Sequence, residues 1–276
     1  MKIIKYPDGS SYVNIGGKVF YGFTFRVNSY EDLWHLNQMV DACNNLNKIP
    51  IITIPNLIDA QADRRFNKHE SSGLKLVCEF LNNMNANFKI FHPHNPEVVE
   101  ALMDNVEIID NSNFIRQVLT YHLSGEHRFL GDFEKSGGIL MSSDAGGFKP
   151  LMKLCDKIDW QGETFSASKS RSWDKNDGSK FIQQIDREDF QGKDILIVDD
   201  LCVYGGTFKG LSKLLKERNV GNLYLAVSHM TIQQLGNDPV TDYFDQIFTT
   251  NSKFNSYLTG HSDKIPPKNL NILKLF

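Results

Sequence analysis

The chain has 276 residues, 41% of them apolar, 11% aromatic and 23% charged, which suffices for one large packed core or two of ordinary size and excludes intrinsic disorder. Thirty Lys and Arg face thirty-three Asp and Glu, a formal net charge of −3. With no basic excess to grip a nucleic-acid backbone, a small-molecule partner is expected.

The opening MKIIKYPDGS contains no signal-peptide core and no apolar run is long enough to span a bilayer, so a soluble, cytoplasmic protein without a membrane partner is expected. In chain order, KVFYGFTFRV (18–27) alternates with period two and predicts a strand. A helix follows, with Ser29 as cap, Glu31 and Asp32 in its first turn, and Leu33, Leu36, Val40 and Cys43 at helical spacing. The short β-branched run IPIITIP (49–55) predicts a buried strand. A polar stretch (56–69), a helix over Glu70–Met84, a strand at Phe88–Phe91, a helix from Pro96 and a strand at Val106–Ile109 continue the alternation.

SGEHRFLGDFEKSGG (124–138) carries the glycine and charge of a domain boundary. Beyond it, strands are predicted at Ile139–Ser143, Ile195–Asp199, Leu223–Ser228 and Gln246–Thr250, with helices after Gly147 and Thr207. SWDKNDGSK (172–180), with its Asn-Asp-Gly, reads as a hairpin or flap. Such alternation implies two α/β domains whose parallel sheets are covered on both faces. The cysteines (43, 78, 155 and 202) are widely spaced among apolar neighbours and read as buried free thiols.

In parallel sheets ligands sit beyond the carboxyl ends of the strands. The strongest motif there is ILIVDDLCVYGGT (195–207): a buried strand, two acids, then a Gly-Gly-Thr turn opening a helix. Carboxylates bind vicinal hydroxyls or Mg²⁺ through water, and glycine amides with a Thr hydroxyl at a helix N-terminus bind phosphate, so the set suits a ribose phosphate. Capping acids and a tight turn are the plain structural alternative. MSSDAGGFK (141–149) repeats the design. Lys169 and Arg171 stand at the mouth of the hairpin, where solvated charge is the alternative, and AQADRRFNKHES (60–71) precedes FHPHNP (91–96), whose two His suit a metal or an ordinary loop.

In this order the segments resemble the ribose-phosphate pyrophosphokinase family, the phosphoribosyl-pyrophosphate synthetases. The family's Phe-x-Asp-Gly-Glu is matched by Tyr6-Pro7-Asp8-Gly9-Ser10, its Ala-Arg-Gln-Asp-Arg loop and Glu-Ser helix by Ala60–Ser71, and its Asp-x-His by His92-Pro93-His94. Asp144–Gly147, Lys169 with Arg171, Asp199–Thr207, Ser228-His229 and Thr250-Asn251-Ser252 match the motifs that follow. Relative to the family, the chain lacks a first strand and helix and a final helix.

The resemblance implies two phosphoribosyltransferase-like domains related by a pseudo-twofold, residues 1–125 on the ATP side and 126–276 on the ribose-phosphate side, in a homo-oligomer with shared active sites. It implies transfer of the β,γ-diphosphoryl group of ATP to the anomeric hydroxyl of a ribose 5-phosphate moiety, leaving AMP. Lys169 and Arg171 would be catalytic; Asp8, Asp63, Arg64 and His94 would bind ATP; Asp199, Asp200, Tyr204, Gly205, Gly206 and Thr207 would bind the ribose phosphate; His94, Asp144 and Asp199 would place Mg²⁺.

Four departures fall in binding loops. Gln61-Ala62 replace Arg-Gln, His92 replaces an Asp, Ser10 replaces a Glu, and Val203-Tyr204 replace the Asp-Thr that precedes Gly-Gly-Thr in the family. The last exchange removes donors for a terminal 5-phosphate and adds a stacking surface. It suits an acceptor whose 5-phosphate carries more, such as ADP-ribose, unless Tyr204 packs on its own domain; free ribose 5-phosphate stays open. A non-catalytic regulatory homologue and a phosphoribosyltransferase are the competing classes.

Overall fold

The computed structural model describes residues 2–17, 21–122, 131–174, 178–231, 238–253 and 267–276. The chain forms two compact units. One runs to Asp110, and the other begins at Asn111 and includes the final strand. The division falls before residue 125 because Phe114, Ile115, Val118 and Leu119 are buried in the core of the C-terminal unit. Residues 123–130 of the expected boundary lie outside the described residues.

The N-terminal unit opens with a hairpin of β1 (Lys2–Lys5) and β2 (Ser11–Asn14), which the sequence reading passed over. Its turn is closed by Tyr6 N–H donating to the Ser10 carbonyl at 2.8 Å, with Gly9 at φ +88°. A parallel sheet follows in the order β3 (Gly22–Thr24), β4 (Ile51–Ile54), β5 (Asn87–Phe91), β6 (Val106–Ile109). Between these strands run α1 (Tyr30–Asn44), α2 (Gly73–Asn82) and α3 (Pro96–Leu102). Strand β3 is shorter than its alternating pattern, of which residues 18–20 lie outside the described residues.

Helix α1 starts on a capping box: Ser29 Oγ accepts from Asp32 N at 3.2 Å and Asp32 Oδ2 accepts from Ser29 N at 2.9 Å. Helix α2 begins three residues later than predicted. Glu70 is held in the preceding loop, where its carboxylate accepts the Phe66 amide at 2.8 Å.

Sequence alternation predicted a sheet covered on both faces, but this unit departs from that. Ile52, Ile54, Phe88 and Ile90 share the cluster formed with α1, α2 and α3, while Ile51 is exposed and Lys89 pairs with Glu107 at 2.7 Å. Side chains alternate across a strand, so one face of this sheet is packed under helices, while the other exposes Ile51 and Asn87 and buries Phe91 against Phe276.

The C-terminal unit has the expected two-sided sheet, ordered β14 (Leu270–Leu273), β13 (Gln246–Thr250), β12 (Leu223–Met230), β11 (Ile195–Cys202), β7 (Ile139–Ser142), β8 (Glu163–Ser166), all parallel. Ile195 and Ile197 face the cluster containing α7 (Gly206–Lys216). Leu196 and Val198 face α4 (Ser112–Gln117) and α6 (Phe148–Ile158). A short α5 (Gly131–Lys135) adds Phe133 to that second core.

The predicted hairpin is present as β9 (Ser168–Asp174) and β10 (Gly178–Gln184), paired from Ser168↔Gln184 to Asp174↔Gly178. Residues 175–177, and the side chains of Lys169 and Arg171, lie outside the described residues. All four cysteines are buried free thiols, and no described helix is long and apolar enough to cross a membrane.

Candidate functional site

Strand β11 runs three residues further than predicted, so Asp200 lies within it rather than beyond it. Asp199 is opposite Val227, and Leu201 is opposite His229. One Asp199 oxygen accepts from the Ser143 hydroxyl at the end of β7, and the other accepts the Asp200 amide at 2.8 Å. Burial, with the negative charge of Asp200 next to it, pushes the Asp199 carboxyl up to about 7, against the opposing pull of the Ser143 bond. Burial and Asp199 together push the Cys202 thiol up to about 12, so that sulfur is no nucleophile. Ser143 belongs to a motif the sequence singled out, but its role as donor to Asp199 is visible only across the sheet.

Beyond the strand, Val203 and Tyr204 lead into Gly205, the N-cap of α7, at φ 75° and ψ 9°. A Cβ at Gly205 would meet Val240 Cβ at 2.6 Å, so both backbone conformation and space require glycine. At Gly206 a Cβ would meet nothing within 4 Å. The first turn of α7 therefore presents backbone amides to open space, the arrangement that binds phosphate. Lys209 supports the loop: its Nζ donates to the Asp238 carbonyl at 2.5 Å and carboxylate at 2.9 Å, two residues before Val240.

Tyr204 does not pack on its own domain. It is 68% exposed, and no described residue bonds its hydroxyl or stacks on its ring. An exposed aromatic ring beside a helix N-terminus is a platform available to a ligand.

The β9–β10 hairpin is tied to the same loop. Gln183 Nε2 donates to the Thr207 carbonyl at 3.0 Å, and Gly210, where a Cβ would meet Gln183 Oε1 at 2.4 Å, leaves room for that contact. Lys169 is the register partner of Gln183, so its backbone is held opposite the residue that reaches α7. Neither Gln183 nor Val240 carried a local sequence signal.

The second acid-glycine motif is built differently. Asp144 itself caps the 3₁₀ turn Ala145–Gly147, its Oδ1 accepting the Gly147 amide at 3.1 Å, and neither glycine has positive φ. Ser228 and His229 on β12, Thr250 at the end of β13, and Asn251 and Ser252 after it are buried. Thr250 Oγ1 donates to the Ser228 carbonyl at 2.7 Å, and Asn251 Oδ1 accepts from Leu275 N at 2.9 Å.

In the N-terminal unit, Asp63 turns inward and Arg64 outward, their side chains 6% and 67% exposed. Asp63 accepts from Arg64 Nε at 3.3 Å and from Asn95 Nδ2 at 3.2 Å. Burial acts to raise its carboxyl, but those two donors outweigh it and hold it below the usual carboxylate range. Asn95 also caps α3 through Val98 N at 3.3 Å. Asp63 thus fastens the loop bearing Arg64 to the loop bearing His94, which is exposed.

His92, where the family has an acid, sits at φ 38° with its amide donating to Ile109 O at 2.7 Å. Phe66 was not singled out from the sequence, yet it is 85% exposed on the Arg64 loop. Asp8 accepts from the Ser10 amide at 2.9 Å and hydroxyl at 2.7 Å, which lowers its carboxyl. Ser10 thereby completes a turn that Asp8 begins.

A parallel sheet ending in an acid pair, followed by a left-handed glycine and an open helix N-terminus, defines a phosphoribosyltransferase-type α/β domain. The sequence profile of the phosphoribosyl transferase domain matches residues 122–257. The chain is 23% identical over 257 residues to a ribose-phosphate pyrophosphokinase of Pyrococcus furiosus, covering 91% of this chain and 85% of the relative. It is 21% identical to the enzyme of that name from Thermococcus kodakarensis, with the same coverage. In fold it is similar to the phosphoribosylpyrophosphate synthetase of Mycobacterium smegmatis, with a TM-score of 0.74 at 18% identity over 99% of this chain and 85% of that one. The chain thus carries a phosphoribosyl transferase domain over residues 122–257 and is similar over most of its length to the ribose-phosphate pyrophosphokinases, the phosphoribosyl-pyrophosphate synthetases.

Proposed function

We propose that the protein is a transferase that moves the β,γ-diphosphoryl group of ATP to the anomeric hydroxyl of a ribose 5-phosphate moiety. The new bond joins the anomeric oxygen to the β-phosphorus, the bond from that phosphorus to the oxygen bridging it to Pα breaks, and AMP leaves. The observation that carries this reading is the β11–α7 loop: two acids at the strand end, an amide-lined turn, and a Lys169-bearing hairpin tied to it through Gln183.

Asp200 would accept the ribose hydroxyls, with Asp199 beneath it as the positioning residue that Ser143 holds. Gly205, Gly206 and Thr207 would bind the 5-phosphate, and Lys169 and Arg171 would neutralise charge on the transferred group. Arg64, on the loop fastened by Asp63, would meet ATP, as would His94 and a neighbouring subunit's Asp8 turn in a homo-oligomer.

Among the described residues no three acids, His or Cys converge on a metal position. That donor set nonetheless fits Mg²⁺, which keeps several waters and binds through one or two carboxylates plus substrate phosphates. Asp199 and Asp200 would hold it, with Asp144 and His94 on the ATP side. Bound Mg²⁺ supplies charge neutralisation for the phosphates and for the acid pair.

The exposed Tyr204 favours ADP-ribose as acceptor over free ribose 5-phosphate. Val203 and Tyr204 supply no carboxylate and no short aliphatic hydroxyl beside the loop amides, and the exposed ring offers the adenosine a stacking surface. The test is incubation with ATP, Mg²⁺ and each acceptor in turn. AMP release with ADP-ribose exceeding that with ribose 5-phosphate is the expected result. ADP as the only nucleotide product would remove diphosphoryl transfer, and activity confined to ribose 5-phosphate would remove the ADP-ribose assignment.

A further inference from the structure

A concavity lies in the N-terminal unit, between α1 and α2. It has a volume of about 510 Å³ and is walled by Tyr30, Trp34, Leu76 and Phe80, with Asp59 among its lining residues. Its size is within the roughly 300–1,000 Å³ of small-molecule pockets. Tyr30, Trp34 and Leu76 are each at least half exposed, so the apolar wall is covered by nothing in the described chain.

Asp59 is built into place. Its backbone lies at φ 59°, its Oδ2 accepts the Tyr30 hydroxyl at 2.7 Å, and a Cβ on Gly73 would meet that oxygen at 2.7 Å. Gly73 therefore keeps the first turn of α2 clear for the carboxylate. Among the described residues, Oδ1 of Asp59 accepts no hydrogen bond and no Lys or Arg pairs with Asp59. Lys75, the one Lys of α2, pairs with Glu79 at 3.3 Å, and α1 contributes Glu31, Asp32 and Asp41 but no Lys or Arg.

We infer that this groove binds a small organic ammonium with an aromatic or aliphatic body. The ammonium donates to the open oxygen of Asp59, and the body rests on Tyr30, Trp34 and Leu76, so one pocket supplies a counter-charge and aromatic faces, both of which attract a cation. Nucleotides and other anions are excluded by the same carboxylate and by the acidic α1.

The groove reaches the Arg64 loop through one turn: Ala62 N donates to Asp59 O at 2.8 Å, and Leu74 N donates to Ala62 O at 3.2 Å. Resting on the ATP role proposed for that loop, occupancy would alter the KM for ATP. Binding itself does not rest on that role.

The probe is 2-phenylethylammonium, titrated calorimetrically into the full-length protein beside 3-phenylpropanoate, which has a similar body and opposite charge. Saturable binding of the ammonium in the millimolar range or tighter is expected, with none for the carboxylate. Asp59→Asn preserves the acceptor for Tyr30 and tolerates positive φ, so it should fold and yet weaken the ammonium at least about tenfold. Trp34→Ala, at an exposed position, should weaken it roughly three- to tenfold. Equal binding of both probes, no saturation, or unchanged affinity in well-folded Asp59→Asn would overturn the site. Saturable binding that leaves the ATP KM unmoved would overturn the coupling to the Arg64 loop and leave the site standing, whatever reaction the enzyme performs.

Discussion

Two loops at the carboxyl end of the C-terminal sheet share one written pattern, acid then Gly-Gly then helix, and the structure makes them by different physics. After β7, Asp144 is itself the cap, its carboxylate oxygen accepting the Gly147 amide. After β11, the acids stay in the strand, where Ser143 and a neighbouring amide fix Asp199, and the cap is Gly205 in the left-handed region against Val240. The first loop uses its acid to cap the turn, whereas the second is capped by its glycine and keeps its acids in the strand. Similar letters therefore do not license similar roles.

The comparison breaks most sharply on its glycines. Gly205→Ala forces a side chain into positive φ and into Val240, and should cost roughly 2–4 kcal/mol. Gly206→Ala meets open space and should change stability by no more than about 1 kcal/mol while raising the acceptor KM, because its methyl occupies the approach to the amides. Denaturant unfolding and steady-state kinetics on both variants read this out. Equal destabilisation would show that the loop is not built as described.

Asp144 provides the next test. Asp144→Ala should lose about 1 kcal/mol of cap energy, and Asp144→Asn should restore most of that stability, since an amide oxygen also caps. If Asp144 serves only the fold, turnover returns with stability in the Asn variant; if it also helps place Mg²⁺, turnover stays low and its Mg²⁺ requirement rises. The proposed function expects the second outcome.

Tyr204 sets the smallest expected effect. Tyr204→Ala should leave the midpoint of unfolding little changed, because the ring is largely exposed, and should weaken ADP-ribose by about 1 kcal/mol, with ribose 5-phosphate little affected. A loss of stability on removing the ring would mean that Tyr204 packs against protein in solution.

Much of this was legible in the letters. β-branched runs flanked by polar helices announced the parallel sheets, and β13 falls at Gln246–Thr250 as predicted. Local pattern misled where a residue's partner is distant. Glu70 was assigned to a helix but holds the Phe66 amide, the first hairpin was hidden inside a binding motif, and the end of β11 was set by pairing with β12. For Asp63, which the family resemblance places at the ATP site, the structure adds a role invisible in the sequence: its carboxylate fastens two loops together through Arg64 and Asn95.

By itself the sequence determined the α/β class, the order of the elements, the buried thiols and the strand-end loops where ligands are to be sought. Those follow from period, composition and backbone chemistry within a few residues, which a chain states locally. Tertiary structure alone decided that the helices of the first unit pack on one face of its sheet and those of the second on two, that Val240 makes Gly205 obligatory, that Gln183 ties the hairpin to α7, and that Tyr204 is largely exposed. Each of these depends on atoms brought together from distant positions, or on the absence of any such neighbour, and packing fixes such distances only once the whole chain has folded.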